Sequence, residues 1–222
     1  MSTQSYFSTP PSPETLASVS VPDYPLAGIP ELHFPARKGA LIPDDADCEK
    51  LWDKYEMLDN VRAHSRVVAD VATELARHAF MLGLPVCIEE VRASGLLHDL
   101  AKTYCLRHGG GHAQLGASWV VQETHNYAIA HGVFHHVYWP WPLPADNAER
   151  MCSLPFFIMY ADKRARHDQF VTLEERFDDL YVRYGNTETH RAGIRASYLQ
   201  AKAIEAALSR HLCVDLSGIR PD

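Results

Sequence analysis

Residues 93–102 read ASGLLHDLAK, which places a histidine and an aspartate side by side in an otherwise apolar stretch. The run is apolar enough to predict a buried helix that carries His98 and Asp99. Burying an imidazole beside a carboxylate is costly unless another group compensates both. A divalent metal is the natural compensator, because it binds nitrogen and oxygen ligands and suppresses protonation of the carboxylate. The stretch therefore predicts a metal site as well as a buried helix.

Two further polar residues interrupt apolar sequence in the same way. His64 lies in VRAHSRVV, residues 61–68, on the buried face that three- and four-residue spacing defines. Asp162 follows FFIMYA, residues 156–161. Neighbouring helical residues project about 100° apart, so the His-Asp pair needs ligands from other helices to complete a metal site. Mixed nitrogen and oxygen ligands suit Mn, Fe, Zn, Co or Ni better than Mg or Ca.

Composition limits the class of protein. The 222 residues, 46% of them hydrophobic, are enough for one well-buried domain. The formal net charge of -7 argues against stable nucleic-acid binding or a general affinity for anionic membranes. No apolar stretch is long enough to span a bilayer. The five cysteines form no CxxC pair, and with no secretory signal they predict free thiols and a cytoplasmic location.

The chain divides into an arm and a helical domain. Residues 1–43 hold eight of the 14 prolines and have no helical period, which predicts an irregular arm, disordered or laid over the domain. Residues 44–222 show helical spacing and no strand alternation, so we expect a single all-α domain of six to eight helices. Its motif core spans about 50–185, and its last helix about 187–212. Capping residues and breaks predict helices from Asp44, Asp59 and His112, over 153–166, and from Thr172 to Gly185.

Three of these motifs together resemble a known family. His64, LLHDLAK at residues 96–102 and YADK at residues 160–163 are similar, in this order, to the HD-domain superfamily of metal-dependent phosphohydrolases. The resemblance covers roughly residues 50–185 and implies an HD-type helical bundle. It implies one metal site with four ligands: His64, His98, Asp99 and Asp162.

Two more segments resemble the dinuclear branch of that superfamily. These are GHAQLGA, residues 111–117, and VFHHV, residues 133–137. The branch includes the symmetrical diadenosine tetraphosphate hydrolases and the HD-GYP cyclic dinucleotide phosphodiesterases, but the glycine-tyrosine-proline motif of the latter is absent here. The resemblance implies that Asp99 bridges two divalent ions, with His112 and His136 on the second. His135 is the alternative neighbour, and direct substrate contact is the alternative role for the second-site histidines.

The resemblance also implies a reaction. We expect metal-activated water to hydrolyse a small phosphate ester, such as a nucleotide or dinucleoside polyphosphate. Asp99 would orient or deprotonate the water, and Lys102 would reach a phosphate oxygen. Arg164 and Arg166 would clamp further phosphates. The residues alone also allow ordinary ion pairs of Asp99 with Lys102 and of Asp162 with Arg166.

Two other functions stay open at this point. Some HD-type proteins use a di-iron site on the same scaffold as oxygenases, and a ligand-sensing HD module would bind without turnover. A homodimer is compatible with each of these functions.

Overall fold

The computed structural model describes residues 31–218 except His33 and Ala36. Helices make up most of this part of the chain, which confirms the predicted all-α fold. The helices are α1 (Asp45–Lys54), α2 (Asp59–Met81), α3 (Ile88–Leu97), α4 (Lys102–His108), α5 (His112–Thr124), α6 (Tyr127–His135), α7 (Ala148–Met151), α8 (Leu154–Lys163), α9 (Leu173–Tyr184) and α10 (Glu188–Leu212). Two short antiparallel strands, β1 (Ala165–Arg166) and β2 (Gln169–Phe170), form a hairpin between α8 and α9.

The capping residues define several helix starts as predicted. The side chain of Asp44 accepts a hydrogen bond from the Asp47 amide at the start of α1. Thr172 and Glu175 form a reciprocal capping box before α9, in which each side chain accepts from the other residue's amide. These bonds satisfy amide groups that have no partner inside the helix.

The prediction that His98 and Asp99 lie within a helix is wrong. α3 ends at Leu97, and residues 98–101 form turns with backbone bonds from Leu100 to Leu97 and from Lys102 to Asp99. The apolar pattern continues through this break, so spacing alone could not show it. The predicted helix over 153–166 likewise stops at Lys163 and gives way to the β hairpin. These breaks and the short α7 give the described residues more helices than the six to eight expected.

The buried helix α8 organises the core. Phe156, Phe157 and Ile158 are three consecutive residues with no exposed surface, so this helix is covered on all sides. It packs against α2, α3, α6 and α10. A helix that is apolar all round must be surrounded by others, and here that requirement places Asp162 near the centre of the bundle.

A close contact between α2 and α3 places two of the polar residues. A Cβ atom on Gly95 would lie 2.6 Å from the Cα atom of Ala69, so only glycine permits this approach. His64 precedes Ala69 on α2, and His98 follows Gly95 after α3. The contact therefore fixes the positions of the two histidines relative to each other.

The described part of the predicted arm lies against the domain. Leu32 is buried in the main core cluster, and the ring of Phe34 lies 5.0 Å from that of His131. The amide of Leu41 donates to the carbonyl of Thr124 at 2.8 Å. For these residues the arm is laid over the surface, while residues 1–30 of the predicted arm lie outside the described residues.

Within the described part of the chain, no helix has both the length and the apolar character needed to cross a membrane.

We predict that Gly95→Ala lowers the free energy of unfolding by about 2–3 kcal/mol, because the added methyl group overlaps the α2 backbone. Urea denaturation followed by circular dichroism measures the change. Gly193→Ala is the matched control, since a Cβ atom there meets nothing within 4 Å and alanine favours the helix. Equal stability of Gly95→Ala and wild type would show that the α2–α3 contact is not tight.

Candidate metal centre

Five separate segments bring histidines and aspartates to one place in the bundle. His64 comes from α2, the His98-Asp99 pair from the turn after α3, and His112 from the first residue of α5. His136 directly follows α6, and Asp162 lies near the end of α8. All but the partly exposed His112 are buried. The structure thus gathers six of the sequence-predicted metal ligands into one centre.

One group of these residues surrounds the Oδ2 atom of Asp99. The Nε2 atoms of His98 and His64 lie 3.3 Å and 4.0 Å from it. Asp162 completes the group, since its Oδ1 atom is 3.1 Å from His64 Nε2 and 3.8 Å from His98 Nε2. His64, His98 and Asp99 have ligand atoms close enough to one another to hold a single metal ion, and Asp162 lies beside the two histidines as a further ligand.

A second group surrounds the other oxygen of Asp99. The Nε2 atoms of His112 and His136 lie 3.4 Å and 3.7 Å from Oδ1, and 3.2 Å from each other. These three residues also satisfy the spacing of a metal site. The carboxylate of Asp99 therefore stands between the two groups, with one oxygen facing each.

Backbone carbonyls orient the rings. His98 Nδ1 donates to the Gly95 carbonyl at 2.8 Å, and His136 Nδ1 donates to the Val133 carbonyl at 2.7 Å. Because a carbonyl oxygen only accepts, the hydrogen of each neutral ring resides on Nδ1 and the lone pair on Nε2. That Nε2 atom points into the centre. Metal-binding histidines commonly have this second bond, which fixes both tautomer and ring orientation.

Two buried atoms in the centre have no hydrogen-bond partner within the described residues: His98 Nε2 and Asp99 Oδ1. Leaving such atoms unpaired in a dry interior is costly. A positive ion near each would supply the missing partner, and an imidazole-carboxylate set fits a divalent transition metal. The residues present therefore fit the group that the sequence pattern implies.

The charge state of the centre suits cation binding. Burial raises the pKa of Asp99, but the charges of His98 and Lys102 outweigh burial and hold the pKa well below its usual range. Burial likewise raises the pKa of Asp162, but Lys163 and His64 outweigh burial and hold that pKa well below its usual range. Burial lowers the pKa of His136 to about 3. The centre thus combines ionised carboxylates with a neutral His136 imidazole. Burial lowers the pKa of His98, but Asp99 and Asp162 outweigh burial and raise it, so a metal that binds His98 would displace a proton.

Two lysines border the carboxylates. Lys102 Nζ donates to Asp99 Oδ2 at 2.6 Å, the ion pair expected from its position three residues later. Lys163 Nζ donates to Asp162 Oδ2 at 2.5 Å and to the carbonyl of His136 at 3.4 Å. Asp162 is therefore paired with Lys163, and within the described residues no ion pair joins it to Arg166. An ion pair at Asp99 Oδ2 leaves Oδ1 free of hydrogen bonds.

Three other sequence-predicted residues do not reach the centre. Arg164 is 1% exposed, and its guanidinium donates to the carbonyls of Val171 and Leu216, which ties it into the core rather than to a substrate. Arg166 lies in the β hairpin opposite Gln169. The ring of His135 packs 5.0 Å from that of Trp139, outside both groups of candidate ligands in the described chain.

A cavity of about 570 Å³ opens beside the centre. His112, His136 and Asp162 line its inner end together with Lys102 and Lys163. Sequence reasoning did not single out Lys163, although it directly follows Asp162. It also missed Arg176 on the cavity wall, because an arginine in the first turns of an amphipathic helix carries no distinguishing pattern.

Comparison with known proteins gives one match to a family model, and it covers the residues of this centre. Residues 61–167 match the family model described as the HD domain. This region includes every histidine and aspartate of the centre. No curated protein and no solved structure gives a match.

We predict that Asp162→Asn weakens metal binding by more than about tenfold while the chain stays folded, because the amide keeps the shape but loses the charge. Alanine is a poorer choice, since it would leave the buried Lys163 without its partner. Metal per chain after dialysis against limiting Mn²⁺ measures the effect. Asp168→Asn, an exposed aspartate in the hairpin, is the control. Unchanged metal content in Asp162→Asn would contradict its assignment as a ligand.

Proposed function

Because residues 61–167 match the HD domain, we propose that this protein is a metal-dependent hydrolase of small phosphate esters. One observation carries the proposal. Each oxygen of the buried Asp99 carboxylate faces its own group of histidines, and Oδ1 has no hydrogen bond from the described chain. Two cations sharing one carboxylate is an arrangement that suits phosphoryl transfer.

His64, His98, Asp99 and Asp162 would hold the first ion of the proposed pair. Asp99, His112 and His136 would hold the second. His112 is the most exposed member of the centre, and it lines the cavity. The positions of His112 and His136 support a second ion. Their Nε2 atoms lie 3.2 Å apart and near Asp99 Oδ1, whereas His64 lies near Oδ2.

When bound, divalent ions supply positive charge for the phosphoryl oxygens and lower the pKa of water toward neutrality. Asp99 accepts a hydrogen bond from the attacking water and so aims its oxygen at phosphorus. Lys102, whose side chain is 36% exposed at the cavity, donates to a phosphoryl oxygen. Lys163 holds Asp162 in place from the buried side. As the water oxygen bonds to phosphorus, the ester P–O bond breaks, one proton passes in net from the water to the leaving oxygen, and the alcohol leaves through the cavity.

The proposed substrate is a nucleotide or a dinucleoside polyphosphate. Support comes from the size of the cavity and from the lysines at its inner end, which match a phosphate group attached to a larger organic part.

A substrate panel tests the proposal. Protein loaded with Mn²⁺, Fe²⁺, Co²⁺ or Ni²⁺ should release phosphate or a nucleotide from at least one member of a set of nucleotides and dinucleoside polyphosphates. Asp99→Asn should abolish this release. Oxygen consumption by the iron-loaded protein, without hydrolysis of any ester, would contradict the proposal and favour a di-iron oxygenase.

We predict that His112→Ala and His136→Ala each reduce bound metal from about two ions per chain to about one. Activity should fall about 100-fold or more, because the remaining ion cannot share the charge on the phosphoryl group. Metal analysis and phosphate release measure the two effects. His108→Ala, an exposed histidine at the end of α4, is the control. Wild-type protein that saturates at one ion with full activity would contradict the two-ion centre.

A further inference from the structure

The outer wall of the cavity comes from α9 and α10, which lie beyond the region that matches the HD domain. The inner end of the cavity is the metal centre described above. Residues on the outer wall lie where they would contact any part of a ligand that extends away from the centre. The charge and polarity of these residues therefore indicate which class of substrate fits the cavity.

Arg176 is the charged residue of that wall. It lies on α9, its side chain is only 13% exposed, and its Nε atom is buried with no hydrogen-bond partner in the described chain. Its ion pair with Asp179 is long, 3.6 Å from NH1 to Oδ2, and Asp179 also pairs with Arg183. A largely buried guanidinium normally satisfies its donors, but this one has only a long ion pair and an unpaired Nε, and its side chain lines the cavity.

Arg176 adds to the positive charge at the cavity. Lys102 and Lys163 line the same space from the metal side. Three cationic side chains around one cavity favour an anion within it.

The rest of the outer wall is largely apolar. Leu180 on α9 and Ile194 on α10 are partly buried side chains that line the cavity next to Phe177. The cavity volume of about 570 Å³ falls within the range of small-molecule sites, about 300–1,000 Å³. Phosphate alone would leave most of this space and its apolar surface without contacts.

We propose that Arg176 binds a phosphoryl oxygen of the substrate while Leu180 and Ile194 hold an apolar or aromatic organic group. The substrate class is then a phosphate ester whose organic part is large and flat enough to reach from the metal centre to α10. This inference rests on the proposed phosphohydrolase function and adds the residues that select the substrate.

Phosphate binding tests the role of Arg176. Calorimetry with inorganic phosphate on the metal-loaded full chain should show affinity that falls about tenfold to 100-fold in Arg176→Gln, the loss of one charge-assisted hydrogen bond. Arg176→Lys should lose less, because it keeps the charge. Arg195→Gln, an exposed arginine on α10 that does not line the cavity, should bind phosphate as wild type does. Metal content should be equal in all four proteins.

Phosphonates test the apolar wall without turnover. Wild type should bind phenylphosphonate at least about tenfold more tightly than methylphosphonate, since a buried ring contributes more contact than a methyl group. Ile194→Ser should reduce that preference, whereas Val182→Ser, an exposed position on α9, should not. Equal affinity of wild type for the two phosphonates would overturn the substrate class.

The outcomes separate this inference from the function on which it rests. If wild type binds phosphate and Arg176→Gln binds it equally well, the role of Arg176 is overturned and the hydrolase proposal stands. If metal-loaded wild type binds no phosphate and hydrolyses no ester, both are overturned. Thermal melting of Arg176→Lys, which preserves the bulk of the side chain, verifies that a loss of binding is not a loss of fold.

Discussion

The carboxylate of Asp99 is the constraint on which the rest of the centre depends. It has almost no exposed surface, and its two oxygens face different histidines, with His98 and His64 near Oδ2 and His112 and His136 near Oδ1. An isolated buried carboxylate would favour its protonated form, but the surrounding positive charge keeps it ionised. Apolar helices enclose the centre except where the cavity opens, and a cation in this partly enclosed place interacts more strongly than it would in solvent.

The helical packing exists in this form because these few side chains must meet. Gly95 allows α3 to approach α2 closely, and the break after α3 releases His98 and Asp99 from helical directions. The all-apolar α8 supports Asp162 from within the core. The helices α9 and α10 close the cavity, so the centre and the outer wall of the cavity come from different parts of the chain.

Sequence reasoning found the all-α fold and the six residues that meet at the centre. His64, His98, Asp99 and Asp162 interrupt apolar patterns, whereas His112 and His136 were expected only from the resemblance to a family. Sequence reasoning misplaced the helix end at Leu97, since apolar spacing continues into the turn. It also assigned Arg164 to substrate, although that side chain is bonded inside the core. A sequence does not show which way a charged side chain points. Arg176 is the opposite case to Arg164, because it has no distinguishing sequence pattern and yet lines the cavity.

Anomalous diffraction from crystals soaked in Mn²⁺ tests the central claim most directly, because it locates each ion relative to Asp99. The account predicts two peaks, one on each side of the Asp99 carboxylate, at about 2.0–2.2 Å from its respective oxygens. The first peak should also contact His64, His98 and Asp162, and the second His112 and His136. A single peak that leaves Asp99 Oδ1 without an ion, or no peak at this centre, would contradict the account.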